Sequence, residues 1–358
     1  MQTGIIGLPH SGKTSLFKIL THAHLDSKAA HAAVHVGVAR VPDDRLEKLV
    51  PLFNPKKVTH ATVEYVDVGG LVKDRTKDAQ FLAQLREVDA LVHVVRLFDN
   101  PAVPHPAGSL NAVRDVESVD LELMLNDLDQ IQRRVERVER DLKKKKEPAL
   151  EFEMAFLNRC RAAIESEKPL RELDFSPEET KILTSFGFLS RRPMLYVINV
   201  GDEEAAEVDN VIAKHNLEAL ASRPRTGVVA FCGRIEAELA DLSDAEAAEL
   251  MSAYGLRESG LVRILHATYK LLGLISFFTC GETDCRAWTV PAGTTAVRAA
   301  GTIHSDIERG FIKAEVVHWD ELLAAGSWHG ARDAGKLRLE GKEYVVRDGD
   351  VILFRHSG

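Results

Sequence analysis

Residues 4–20, GIIGLPHSGKTSLFKIL, combine a short apolar run, a glycine-marked turn and a helical pattern. TGIIG (3–7) reads as a buried strand, and KTSLFKIL (13–20) as a helix with Leu16, Phe17 and Leu20 on one face. Between them Gly7, Gly12, Lys13 and Thr14 satisfy G-x-x-x-x-G-K-[ST] at every position. The spacing suits a phosphate cradle: Gly12 lets backbone N–H groups turn toward a polyanion, and the helix start adds its positive end. Lys13 reaches the β- and γ-phosphates, and the Thr14 hydroxyl suits Mg²⁺. Gly7, Pro9, His10, Ser11, Gly12, Lys13, Thr14 and Ser15 are therefore the expected phosphate-binding residues. A strand–turn–helix carrying a chance lysine is the plain alternative.

The following segments separate a switch protein from other users of this loop. HATVEYVDVGGLV (60–72) is a β-rich run ending in Asp67-Val68-Gly69-Gly70. In a D-x-x-G so placed, Asp67 would hold Mg²⁺ through water and the Gly70 N–H would read a γ-phosphate. ALVHVVRL (90–97), PMLYVINV (193–200) and TGVVAFC (226–232) are near-continuous apolar runs, as strands buried on both faces require. Together they predict a doubly wound α/β nucleotide domain. Asn199-Val200-Gly201-Asp202 and Cys232-Gly233-Arg234 follow two of these strands, where a base pocket would form. Asp202 could pair with guanine N1–H and N2–H, while Val200 stands where a GTPase carries lysine. A helix N-cap is the competing reading of Asp202.

Composition sets the outer limits. The 358 residues are 45% hydrophobic and 28% charged, with a formal net charge of −8. That excludes a globally basic nucleic-acid binder but not a local basic patch, and no DNA partner is expected. No apolar run approaches the length of a membrane helix, and the N-terminus shows no leader pattern, so a cytoplasmic protein without a membrane partner is expected. Cys160, Cys232, Cys280 and Cys285 form neither a CxxC nor a zinc-like pattern and read as buried or free thiols.

Several of these segments resemble the YchF family of Obg-related P-loop NTPases, the Obg-like ATPases, over essentially the whole length. They are GLPHSGKTSLF, VDVGGLVKD, FLAQLREVDALVHVVR, NVGDE and RIEAELADL, and above all RAWTVPAGTTAVRAAGTIHSDIERGFIKAEVV (286–317) with AGKLRLEGKEYVVRDGDVILFR (334–355). The resemblance implies an α/β Ras-like P-loop domain (1–118 and 192–274), a helical coiled-coil insertion (119–191) and a β-grasp, ubiquitin-like TGS domain (275–358). It further implies ATP preferred over GTP, with Mg²⁺, and association with the ribosome or its RNA.

Leu121, Leu125, Leu128, Ile131, Val135, Val138 and Leu142 recur at three- and four-residue steps, the seam of a coiled coil or helical hairpin. A helix near 151–167 is its expected partner. From Arg133 to Lys146, eight Lys/Arg face three acids, a local net of +5. That strip suits RNA phosphate, or equally a solvated helix face. The C-terminal part, 275–358, carries ten Lys/Arg and twelve Asp/Glu, so any role there would come from shape. Its KLRLEGKEYVVRDGDVILFR (336–355) reads as a hairpin or meander turning at Asp348-Gly349.

Hydrolysis needs an oriented water. Leu71 occupies the position after D-x-x-G where Ras-like enzymes carry glutamine, a hydrophobic replacement that the family shares. His105, in NPAVPHPAGSL (100–110), falls where the family carries a loop histidine and is the candidate catalytic group beside Lys13; an ordinary loop histidine is the alternative. Three positions depart from the family pattern: His31 for a switch threonine, the glycine-free KDRTKDAQFL (73–82), and His10 for an asparagine. The reading is a slow, ribosome-associated ATPase switch, GTP being a second candidate substrate. A non-catalytic, nucleotide-stabilised adaptor is the runner-up.

Overall fold

β1 (Gln2–Ile6) is the centre of the computed structural model, which describes residues 1–21, 35–68 and 79–357. It pairs in parallel with β4 (Ala61–Asp67) on one side and β5 (Ala90–Arg96) on the other. With β2 (His35–Val41), β6 (Met194–Asn199) and β7 (Thr226–Phe231) these form one sheet in the order β2-β4-β1-β5-β6-β7. Every residue of β5 and β6 is buried, the outcome their unbroken apolar runs require of strands covered on both faces. The strands on either side of β1 return by crossovers, so its C-terminal end lies at a topological switch point, where such sheets bind ligands. β1 and β7 end just before a motif, and β4 and β6 end on the first residue of one.

Residue contacts divide the chain into two units, one of Met1–Val38 with Glu64–Ala267 and one of Ala39–Val63 with Thr268–Gly358. In the first unit, α1 (Lys13–Thr21) follows the phosphate loop and α3 (Ala79–Glu87) precedes β5. α4 runs 33 residues, Ala112–Lys144, capped by the Asn111 side chain, which accepts from Arg114 N. α5 (Pro148–Glu165) turns back along it, and α6 (Pro177–Phe186) closes the insertion behind a Ser176–Glu179 capping box.

The expected seam holds in only half of α4. Ile131, Val135 and Val138 are buried with Phe156, Leu157 and Cys160 of α5, and Leu128 and Leu142 pack on that cluster. Leu121 and Leu125 are instead 46% and 48% exposed. Their places are taken by Val116, Val119 and Leu123, which join the core of the sheet. The first half of α4 thus packs on a sheet and the second on a helix, and a single heptad cannot serve both surfaces. A buried ion pair roots the insertion: Arg171, wholly buried, donates to Asp120 of α4 at 2.5 Å and to the Tyr196 hydroxyl of β6 at 2.8 Å.

The second unit contains α2 (Asp44–Phe53) and β3 (Val58–Thr59). Its sheet also holds β8 (Leu274–Cys280), β9 (Cys285–Pro291), β10 (Phe311–His318), β11 (Arg338–Glu340) and β12 (Asp350–His356), in the order β11-β10-β12-β8-β9-β3. β12 runs parallel to β8, while β8–β9 and β10–β12 are antiparallel. The Ala296–Ile303 helix buries three alanines against this sheet's core. The expected 336–355 hairpin does not form, because β11 and β12 lie on opposite sides of β10. Gly349 does turn, at φ 90°. Two of the expected free thiols are paired: Cys280 and Cys285 are cross-strand partners at the end of the β8–β9 hairpin, Cα atoms 4.1 Å apart, and form a disulfide. Five residues of separation concealed a pairing that the hairpin register makes. Cys160 and Cys232 are free and buried.

Candidate nucleotide site

Between β1 and α1 the backbone takes three positive φ values, at Gly7 (148°), His10 (62°) and Gly12 (100°). Such reversals build a loop whose amides can converge on an anion. The glycines are required by space as well as by φ. A Cβ on Gly7 would lie 2.5 Å from the Val94 carbonyl oxygen, and one on Gly12 would lie 2.4 Å from Asn199 Nδ2. His10 adopts without glycine's freedom a conformation that asparagine tolerates well. Ser11 is buried with no hydrogen-bond partner for its Oγ, Pro9 is half-buried, and Thr14 and Ser15 are exposed. Lys13 Nζ donates to the Leu8 carbonyl at 2.7 Å, which keeps the ammonium on the loop.

Thr14 Oγ1 donates to Asp67 Oδ2 at 3.3 Å, joining the start of α1 to the end of β4. The register sets this meeting, since Ile5 of β1 is directly opposite Asp67. A hydroxyl and a carboxylate are hard oxygen donors of the type Mg²⁺ takes, with phosphates and water completing its shell. Among the described residues no three His, Cys, Asp or Glu cluster as a metal cage. The Thr14 and Asp67 oxygens by themselves fit a Mg²⁺ whose remaining ligands come with a nucleotide. Gly69, Gly70, Leu71, His31 and most of the 73–82 segment lie outside the described residues.

At the base end the side chains are already engaged. Asn199, 5% exposed at the end of β6, donates from Nδ2 to the Ser11 carbonyl at 3.1 Å and accepts at Oδ1 from Gly233 N at 3.0 Å. It braces the phosphate loop against the loop after β7, leaving one amide hydrogen for other work. Asp202 Oδ2 accepts from Arg234 Nη1 at 2.6 Å, and Oδ1 accepts from Cys232 Sγ at 3.5 Å. Burial pushes the Cys232 thiol up, and the neighbouring Asp202 carboxylate adds to the rise. Val200 is buried in the sheet's core, so nothing stands in for the lysine at that position. Each Asp202 oxygen thus already accepts one hydrogen bond, and reading guanine would require the same carboxylate to accept from N1–H and N2–H as well.

His105 is pinned. Arg96 donates to the carbonyls of Phe98 and Val103 and so ties down the loop before it. The His105 side chain is 5% exposed, with Nδ1 accepting from Ala107 N at 3.1 Å and Nε2 3.0 Å from Asp115 Oδ2. Nδ1 is thus engaged by the backbone, and Nε2 is the nitrogen that faces the carboxylate. Among the described residues no hydrogen bond or ion pair links His105 to the phosphate loop. Activating a water from here would require the loop to release the ring.

One residue the sequence reading passed over lies directly against the cradle. His93 of β5, opposite Ile6 of β1, is wholly buried with neither ring nitrogen hydrogen-bonded. Its Cδ2 would be 3.4 Å from a Cβ on Gly7. Burial, then the positive charges of Lys13 and Arg171, pull it down to about 3, so it is neutral. Its place in HVVR, amid apolar residues, was the only available signal.

Comparison with known proteins identifies the family. A family described as a 50S ribosome-binding GTPase matches residues 2–152, and the YchF-GTPase C-terminal family, described as of unknown function, matches 274–357. The chain is 41% identical to the ribosome-binding ATPase YchF of Bacillus subtilis, over 100% of this chain and 99% of the relative. To that of Escherichia coli O157:H7 it is 38% identical over 98% of each. The solved Schizosaccharomyces pombe YchF GTPase superposes with a TM-score of 0.86 at 28% identity, covering 99% of this chain and 97% of that one. With full-length identity on this scale, the chain belongs to the YchF family.

Proposed function

We propose that this protein is a nucleotide-dependent switch that binds ATP with Mg²⁺, hydrolyses it slowly and acts on the ribosome in the cytoplasm. The observation that carries the reading is the joined set at the C-terminal ends of β1 and β4: Lys13 held on the loop by Leu8, and Thr14 bonded to Asp67. In this reading Lys13 neutralises the β- and γ-phosphates, Thr14 and Asp67 are the Mg²⁺ ligands, directly and through water, and Gly70 reads the γ-phosphate. Bound Mg²⁺ would screen the charge that accumulates on the transferring phosphoryl group. Asn199 supports the loop from beneath and can offer its remaining N–H to the base.

The engaged Asp202 carboxylate supports adenine over guanine, because Arg234 and Cys232 already orient it and offset part of its charge, which weakens its attraction for guanine N1–H and N2–H. Pinned His105 supports a low intrinsic rate that rises when a partner frees the loop. The relatives' printed names support the ribosome as that partner. The basic stretch 133–146 is the surface we assign to ribosomal RNA: Arg133, Arg134 and Arg137 line with Arg86 a cleft of about 720 Å³. The domain division expected from the sequence serves this scheme, with 119–191 as the arm and 275–358 as a TGS-type module.

Parallel titration of the full chain with ATP and GTP, each with Mg²⁺, tests the base assignment; ATP should bind at least tenfold tighter, and equal affinities would refute it. Phosphate release with and without ribosomes tests the switch. A basal rate that survives Lys13→Ala unchanged would leave only the adaptor.

A further inference from the structure

The insertion contains a second cavity, of about 420 Å³, between the Leu170–Glu172 turn, α6 and the chain entering β6. Arg171, Arg191, Arg192 and Arg225 line it, and Asp89 is the sole carboxylate in its wall. The rest of the lining is largely apolar, with Leu173 and Phe175 among it. Its volume lies in the range of small-molecule sites, roughly 300–1,000 Å³.

The charges do not cancel. Arg171 is wholly buried, and although Nη2 is bonded to Asp120 and Tyr196, its Nε and Nη1 have no hydrogen-bond partner. Buried guanidinium N–H groups are costly to leave unpaired. Arg192 donates to the Arg86 carbonyl and leaves Nε buried and unbonded. Among the described residues, neither Arg191 nor Arg192 has a carboxylate at ion-pair distance. Arg225 reaches the cavity from a left-handed backbone position, φ 52°, held by bonds to the Arg171 and Leu173 carbonyls, and its one acid, Asp174, is fully solvated. Burial, then the charges of Arg192 and Arg225, pull Arg191 below its ordinary value, so the unliganded surroundings work against its charge. An incoming anion would remove that penalty.

We propose that this cavity binds a phosphate monoester carried on a small apolar or aromatic body. The Arg191 fork and Nη1 of Arg192 meet the phosphate, Arg225 adds positive charge at the rim while its own fork stays on the Arg171 and Leu173 carbonyls, and the wall at Leu173 and Phe175 meets the body. Guanidinium forks match phosphate oxygens two at a time, a geometry that lysines do not supply. The site is independent of the nucleotide reading, since none of its residues belongs to the phosphate-, metal- or base-binding residues.

Calorimetric titration of the full-length Lys13→Ala chain with phenyl phosphate tests it, because removing Lys13 weakens phosphate capture at the P-loop. One saturable site is expected, weakened at least tenfold by Arg191→Gln and by Arg192→Gln and unchanged by Arg298→Gln on the C-terminal unit. No saturable binding at millimolar phenyl phosphate, or affinity untouched by both cavity substitutions, would overturn the proposal. So would inorganic phosphate binding as tightly as phenyl phosphate, which would deny the apolar wall a role. A single-stranded RNA that displaces phenyl phosphate at lower concentration would assign the arginines to nucleic acid instead, and equally overturn it. Should Arg192→Gln melt below the parent, Arg191→Gln carries the test, since Arg191 makes no ion pair among the described residues.

Discussion

The two ends of the nucleotide site are built in different ways. At the phosphate end, residues 7–14, the working parts are backbone: two glycines and a histidine at positive φ, a helix start, and one lysine held by a main-chain carbonyl. At the base end, residues 199–202 and 232–234, the parts are side chains, and each is already bonded to a neighbour. A backbone cradle tolerates little substitution, because a Cβ or a change of φ destroys the shape. A side-chain pocket can be re-paired at low cost, so specificity there can drift while phosphate binding persists.

If that contrast is right, Gly12→Ala should have the largest effect on nucleotide binding of the substitutions considered. It adds a Cβ 2.4 Å from Asn199 Nδ2 and strains a residue at φ 100°. Backbone strain of about 1–3 kcal/mol plus the displaced brace predicts ATP binding weakened roughly 100-fold, measurable by calorimetry. Near-parent affinity would show that the cradle is not backbone-limited.

A pH-dependent effect on stability, rather than on binding, should appear beneath the cradle. His93 is neutral in the folded chain, pulled down to about 3 from an ordinary 6.5, whereas unfolding lets it take a proton. Its contribution to stability is therefore whole above pH 6.5 and is lost as pH falls from there toward 3, by up to about 1.4 kcal/mol per pH unit. His93→Leu should flatten that part of the profile in denaturant melts. Burial pushes Asp127 up to about 6, which acts in the opposite sense, but it contributes alike to both chains and drops out of their difference. Parallel profiles would mean that His93 finds a proton acceptor.

The smallest change is expected at the base end. The Arg234–Asp202 pair is exposed on the arginine side, 72% against 38%, and such pairs contribute under about 1 kcal/mol. Arg234→Ala should release Asp202 and move the ATP-to-GTP affinity ratio toward GTP by about threefold. A ratio that does not move would place the preference elsewhere in the pocket.

Much of this is legible in the sequence. The continuous apolar runs at 90–97 and 193–200 became fully buried strands, since nothing but a two-sided core accommodates them. The helix of the insertion was legible from its period, but which of its faces was buried was not. Leu121 and Leu125 follow the same step as Ile131 and Val135, and the difference lies in what each half of α4 meets. At the site, the motif named Thr14, Asp67 and Asn199, while their pairings needed the strand register. His93 was illegible because a buried polar residue on a central strand looks like any member of an apolar run.

The sequence by itself determined the local elements and the phosphate loop, because strand and helix periods and the glycine positions are properties of a few adjacent residues. Only the tertiary structure decided that 39–63 cluster with the C-terminal residues, that β10 separates β11 from β12, and that Cys280 bonds to Cys285. It also decided that Asp202 is neutralised by a residue 32 positions away. These are meetings between distant segments, and a one-dimensional pattern carries no information about which of several compatible partners will pack closest.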